Sequence, residues 1–172
     1  LMIGSNDAMG SFDKQSGIRY MRNNKLPEVP TIDKFREHFL ELIERMKEVP
    51  RIGLCTIPPV GENKDSMINN HVENFNDSIK SASNLNKIEL LPVCDQIWLD
   101  ISKRTYPLRS DYSPNTIPIM RRIFGGIFHH YLFRKSWNDI ARSKGQWILF
   151  DHIHFNERGA DVVFKLVKKF IS

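Results

Sequence analysis

The run Arg51-Ile52-Gly53-Leu54-Cys55-Thr56-Ile57-Pro58-Pro59 decides the fold. A short apolar run closed by two prolines reads as a buried strand. Upstream, apolar residues at 32, 35, 39, 42, 43 and 46 follow helical spacing, with Thr31 placed to cap the helix and Pro50 to stop it. Downstream, after Asp65-Ser66, positions 68, 72, 75, 79 and 82 repeat that stripe, and Ile88-Glu89-Leu90-Leu91-Pro92-Val93 gives a further strand. At the front, Leu1-Met2-Ile3-Gly4 reads as the end of a buried strand entering a turn. Strand, helix, strand, helix, strand is the order of a parallel sheet with helices on its faces, because parallel neighbours need a crossover. The expected architecture is therefore a three-layer α/β/α domain, and function in such sheets sits at the carboxyl ends of the strands.

Residues 96–135 break the alternation with Pro107, Pro114 and Pro118, followed by a largely apolar helix from about Ile119 to Phe133. They read as a helical insertion over one edge of the sheet. Ser136-Trp137-Asn138-Asp139 has the spacing of a capping box, opening a short helix through Arg142 that Gly145 ends. Trp147-Ile148-Leu149-Phe150 then reads as a strand that delivers Asp151 to a loop. Asn156 caps a final helix whose expected core face is Ala160, Val163, Phe164, Val167, Phe170 and Ile171, with Lys168 and Lys169 complementing its C-terminal dipole.

The 172 residues are 41% apolar and 26% charged, an ordinary globular mixture sufficient for one domain. Two cysteines, Cys55 and Cys94, cannot build a disulfide framework and read as buried free thiols at the ends of adjacent strands, which leans toward a cytoplasmic setting. Lys and Arg number 25 against 20 Asp and Glu, but the cations are scattered without interleaved aromatics, so nucleic acid is not an expected partner. The most apolar stretch, Ile117 to Phe133, carries Arg121, Arg122, His129 and His130, which excludes a membrane span there.

Two loops carry the chemistry. Gly4-Ser5-Asn6-Asp7 directly follows a strand, and Asp151-His152-Ile153-His154-Phe155-Asn156 lies between a strand and a helix. A carboxylate three residues ahead of an imidazole can reach its Nδ1–H, fix the tautomer and leave Nε2 as a general base. An Asn amide at a strand end can donate to a developing oxyanion, worth about 3–4 kcal/mol when preorganised.

Gly4-x-Asn6-Asp7 and Asp151-x-x-His154, in this order and on this scaffold, resemble the third and fifth conserved blocks of the SGNH (GDSL-type) hydrolases. Thr56-Ile57-Pro58-Pro59, Val72 to Asn76 and the closing stretch from Ser136 to Ala160 are similar to further parts of the same family. The resemblance implies a flavodoxin-like parallel sheet of five strands ordered 2-1-3-4-5, of which this chain would hold the third strand onward, its N-terminal strands missing. It implies ester or acyl hydrolysis in which Asn6 supplies the oxyanion hole, His154 acts as base and Asp151 orients it, on a small-molecule ester such as an acyl lipid or acetylated sugar. No metal or organic cofactor is implied. The family's nucleophilic serine lies in a Gly-Asp-Ser motif that the 172 residues do not contain. The chain alone is then expected to show little esterase activity, and a non-catalytic binding module derived from the same fold is the alternative.

Other readings accompany these. Asp7 can simply cap the turn. His152 and His154 form a His-x-His that could ligate a metal, although two imidazoles and one carboxylate lack a third convergent histidine. The stripe Phe124, Phe128, Tyr131 and Leu132, beside Arg121, Arg122, Arg134 and Lys135, admits core packing, a lid over an acyl pocket, or a helix lying on a surface. Asn76-Asp77-Ser78 is a glycosylation sequon placed inside a helical stripe.

Overall fold

A computed structural model describes the backbone of residues 1–172 and the side chains of all but residues 116–119, so Ile117 and Ile119 of the apolar run lie outside the described side chains. The chain divides into two compact units, Leu1–Ile57 with Asn70–Pro92, and Pro58–Asn69 with Val93–Ser172.

The first unit contains α1 (Ser5–Gly10), α2 (Lys14–Asn24), α3 (Ile32–Arg45), β1 (Gly53–Cys55), α4 (Met67–Asn86) from Asn70 onward, and β2 (Glu89–Leu91). The strands β1 and β2 pair in parallel with Gly53 opposite Glu89, Leu54 opposite Leu90 and Cys55 opposite Leu91, and α4 lies in the connection between them. This is the expected α/β arrangement. Leu1 bonds to the other edge of β1: its ammonium donates to the Gly53 carbonyl at 2.6 Å, and the Cys55 N–H donates to the Leu1 carbonyl at 2.9 Å. The expected first strand thus survives as one paired residue, because Gly4 at φ 111° turns the backbone away into α1. A Cβ there would lie 2.8 Å from side-chain atoms of both Ile57 and Phe35, so only glycine fits.

Thr31 caps α3 through Lys34 N–H at 3.2 Å, and the helix buries Phe35, Phe39 and Ile43, three positions of the expected stripe. Opposite them α4 buries Val72, Phe75, Ile79 and Ala82. The rings of Phe35 and Phe75 lie 4.9 Å apart and those of Phe35 and Phe39 5.2 Å apart. Each such fully buried ring contributes about 2–3 kcal/mol of transfer free energy. Asn76 is fully buried: its Oδ1 accepts from Ile57 N–H at 2.6 Å and its Nδ2 donates to the Ile57 carbonyl at 3.1 Å, satisfying the backbone where the strand run ends. The sequon is therefore a structural asparagine. Helices α1 and α2 were not legible as stripes: α1 has six residues, and α2 buries only Ser16 and Gly17.

The second unit contains α5 (Val93–Ile101), α6 (Thr116–Phe133), α7 (Trp137–Ser143) and α8 (Glu157–Ile171). Four expectations are corrected here. Cys94 does not end a strand: it lies buried in α5, a helix that begins directly after Pro92. The apolar helix starts at Thr116, since proline is tolerated in a first turn. Trp147-Ile148-Leu149-Phe150 forms no sheet strand; only Leu149 bridges, antiparallel to Phe155, because a side chain occupies the place of a neighbouring strand. That side chain is Glu62, whose buried carboxylate accepts from the N–H groups of Trp147, Ile148 and Leu149 at 2.7–2.9 Å and pairs with Arg104 at 2.8 Å. Finally, the expected core face of α8 is largely in solvent, with Phe164 60% and Ile171 69% exposed, and Gly159 is its one buried residue. Ser136 and Asn156 do cap α7 and α8, accepting from Asp139 N–H and Gly159 N–H respectively.

Candidate active site

Residues 145–156 form the loop between α7 and α8. Gly145, at φ 77°, ends α7 where a Cβ would lie 2.7 Å from the Arg109 nitrogen. Glu62 then holds the amides of Trp147, Ile148 and Leu149 in line. The Leu149–Phe155 bridge, Phe150 N–H on the His154 carbonyl at 3.0 Å and Asn156 N–H on the Ile148 carbonyl at 2.8 Å close residues 150–154 into a tight loop. Asn156 adds an Nδ2 bond to the Trp147 carbonyl, and the Arg158 guanidinium lies 3.7 Å above the Trp147 ring. The loop is fixed at both ends.

Within it, Asp151 and His154 come together as the spacing predicts. Asp151 is 1% exposed. Its Oδ1 accepts from Ile153 N–H at 3.0 Å and His154 N–H at 2.8 Å, while His154 Nδ1–H donates to Oδ2 at 2.7 Å. A carboxylate can only accept, so the ring carries its proton on Nδ1 and its Nε2 is a free base on an exposed side chain. Burial works to raise the Asp151 pKa, but the ring bond from His154 and the two amides outweigh it and hold the carboxyl below its ordinary value. The same bond raises the His154 pKa against an opposing effect of burial. Phe150 stacks on the His154 ring, centroids 5.8 Å apart. This arrangement can take a proton at Nε2, stabilise the imidazolium through Asp151 and return the proton.

His152 behaves differently from its neighbour. It is 1% exposed with φ 79°, a left-handed conformation uncommon for a residue with a side chain. With the Gln146 carboxamide oxygen turned toward it, Nδ1–H donates at 2.9 Å and the His152 N–H at 3.2 Å; Nε2 faces Ser110 Oγ at 3.2 Å. The His152 carbonyl accepts from Gly61 N–H at 2.7 Å. Burial first, then the nearby positive Arg122, pushes its pKa down to about 4, against the opposing charges of Asp111 and Asp151. With both ring nitrogens engaged and the ring turned inward, His152 does not join His154 as a His-x-His chelate. Glu62 and Ser110 went unrecognised in the sequence because they act across 85–87 and 42 residues, and Gln146, six residues from His152, because no local pattern marks it.

Asn6 lies in the first unit, on the first turn of α1 and not on an open loop; it is exposed, and its Oδ1 accepts from the Tyr20 hydroxyl at 3.3 Å. Asp7, beside it in the same turn, has a raised pKa because burial outweighs its backbone bond and His38.

Among the described residues no helix is long and apolar enough to cross a membrane. No curated protein and no solved structure matches the chain. The model of the family described as GDSL-like lipase/acylhydrolase matches residues 1–167, which takes in both loops, the α/β pairing and most of the capped final helix. The chain belongs to the GDSL-like lipase/acylhydrolase family, an ester hydrolase family with an SGNH-type α/β fold.

Proposed function

We propose that this chain carries the acid–base part of a serine-ester hydrolase site. His154 accepts the proton of a nucleophilic serine as it attacks the ester carbonyl and returns it to the leaving alcohol. Asp151 orients the ring and stabilises its charged form, and Asn6 donates to the oxyanion. The reading takes residues 1–172 as a single hydrolase-type domain with a helical insertion at about 96–135. What supports it is the 2.7 Å bond between His154 Nδ1 and a buried Asp151.

The serine is assigned to a Gly-Asp-Ser block, and the 172 residues contain none. By themselves they turn over little ester, and stoichiometric labelling of this polypeptide by a fluorophosphonate would overturn that statement. In the enzyme that includes the block, His154→Ala lowers p-nitrophenyl acetate turnover by about four orders of magnitude or more. Retained turnover refutes the assignment. The same lack of Gly-Asp-Ser favours a second reading, a binding module of hydrolase descent that holds acyl or sugar ligands without cleaving them. A Gly-Asp-Ser codon run upstream of Leu1 supports the enzyme, and a start codon at Met2 the binding module.

A further inference from the structure

From Thr116 to Lys135 the sequence holds no Asp or Glu, while Arg121, Arg122, Arg134 and Lys135 are all cationic. The helix α6 that fills most of this stretch is fixed from one side: a Cβ on Gly126 would lie 3.0 Å from the Phe150 ring and 3.6 Å from Trp137, and His130 stacks on Trp137 at 4.2 Å. Its other side is uncovered within the unit. Met120, Phe124, Ile127, Phe128, Tyr131 and Leu132, spaced i, i+4, i+7, i+8, i+11 and i+12, form one stripe, with Phe124 60%, Phe128 56%, Tyr131 75% and Leu132 62% exposed. Large aromatic and aliphatic side chains aligned in solvent over about three helical turns mark a contact surface.

Charge selects the occupant. Arg121 flanks the stripe, and Arg134 and Lys135 follow at its C-terminal end; all three are exposed, and among the described residues none forms an ion pair. By contrast α8, another helix with exposed apolar residues, carries Glu157 and Asp161 among its lysines. A face of aromatic and aliphatic side chains bordered only by cations complements an anionic lipid surface, where the rings enter the headgroup boundary and the cations meet phosphate. The same helix is too polar to cross a bilayer. We propose that α6 lies flat on membranes containing anionic lipid, its stripe of Phe124, Phe128, Tyr131 and Leu132 inserted at the interface and Arg121, Arg134 and Lys135 on the headgroups. Hydrolysis plays no part in this binding.

Flotation of the 172-residue polypeptide with vesicles tests it, using phosphatidylcholine alone and phosphatidylcholine with 30% phosphatidylglycerol (roughly the anionic content that gives a marked surface potential). Binding to the anionic vesicles at low salt is expected, at least about tenfold stronger than to phosphatidylcholine and weakened as screening rises. Each cation contributes roughly fivefold, so the triple variant Arg121→Gln, Arg134→Gln, Lys135→Gln partitions about a hundredfold less. Phe124→Asp with Phe128→Asp abolishes binding while circular dichroism shows an unchanged helix content, since neither ring is buried. Failure to float with anionic vesicles, equal binding to both kinds, or a solution dimer broken by Phe128→Asp without vesicle binding would each overturn the proposal.

Discussion

His152 makes the stability of this chain pH-dependent, with a sign and window that follow from its surroundings. Its folded pKa lies near 4 against an ordinary 6.5, because the ring is buried beside Arg122, with Lys144 also positive nearby. Above pH 6.5 the ring is neutral whether folded or unfolded and contributes nothing to the pH dependence. Below 6.5 the unfolded chain takes up a proton that the folded chain refuses until about pH 4. Stability therefore falls by about 1.4 kcal/mol per pH unit across that window, about 3 kcal/mol in all. His154 acts in the opposite sense and elsewhere: its raised pKa gives a contribution present below 6.5 and lost as pH rises through the folded value. Asp151, held low, contributes above 3.8 and loses that contribution as pH falls through its folded value. His71, lowered by burial, shares the window of His152, so the comparison is made between proteins. Urea unfolding at half-unit steps from pH 7.5 to 4, on the native chain and on His152→Gln, isolates the effect. The variant begins less stable, and the gap between the two closes as pH falls. A gap that stays constant from pH 7 to 4 refutes the reasoning.

Two further substitutions probe the loop. Glu62→Ala removes the acceptor of three amides and the partner of Arg104 and costs about 3–5 kcal/mol by thermal or urea unfolding, whereas Glu62→Gln, which keeps one acceptor, costs less. Asp151→Asn removes the negative partner of the ring, so the His154 titration followed by proton NMR moves to lower pH; an unmoved titration would show that the 2.7 Å bond does not govern its basicity.

Much of the first unit was legible because its signals are periodic and local. Thr31, the stripe from Phe35 to Ile43 and the stripe from Val72 to Ala82 each fix a helix by what it buries, and the prolines at 58 and 59 fix the end of a strand. What was misread depended on contacts distant in sequence. The run Trp147 to Phe150 has the composition of a strand, but its partner is a carboxylate 85 to 87 residues away, so composition could not distinguish a ladder from a clamp. The final helix has a clear apolar face, and periodicity shows that such a face exists without showing what covers it. In the site, the pairing of Asp151 with His154 was legible because three residues on a tight loop bring them together. The burial and backbone strain of His152 were not, since they arise from Gln146, Ser110 and Gly61 at separations of 6, 42 and 91 residues.

The loop is therefore held by polar groups where a sheet would ordinarily hold it. Asp151 divides its two oxygens between tasks, Oδ1 fixing the amides of Ile153 and His154 and Oδ2 fixing the ring, so the backbone that carries the base and the base itself share one anchor. Glu62 does for the entering segment what a neighbouring strand's carbonyls would do, but converges three N–H groups on one buried charge balanced by Arg104. Such charge-assisted bonds are stronger than ladder bonds and costlier to break singly. A loop built this way keeps His154 in position through local bonds to Asp151 while Glu62 and Gly61 secure its approach and its turn. Damage to Glu62 should then reach the ring only through unfolding. Damage to Asp151 should reach the ring's proton directly, even in a chain that remains folded.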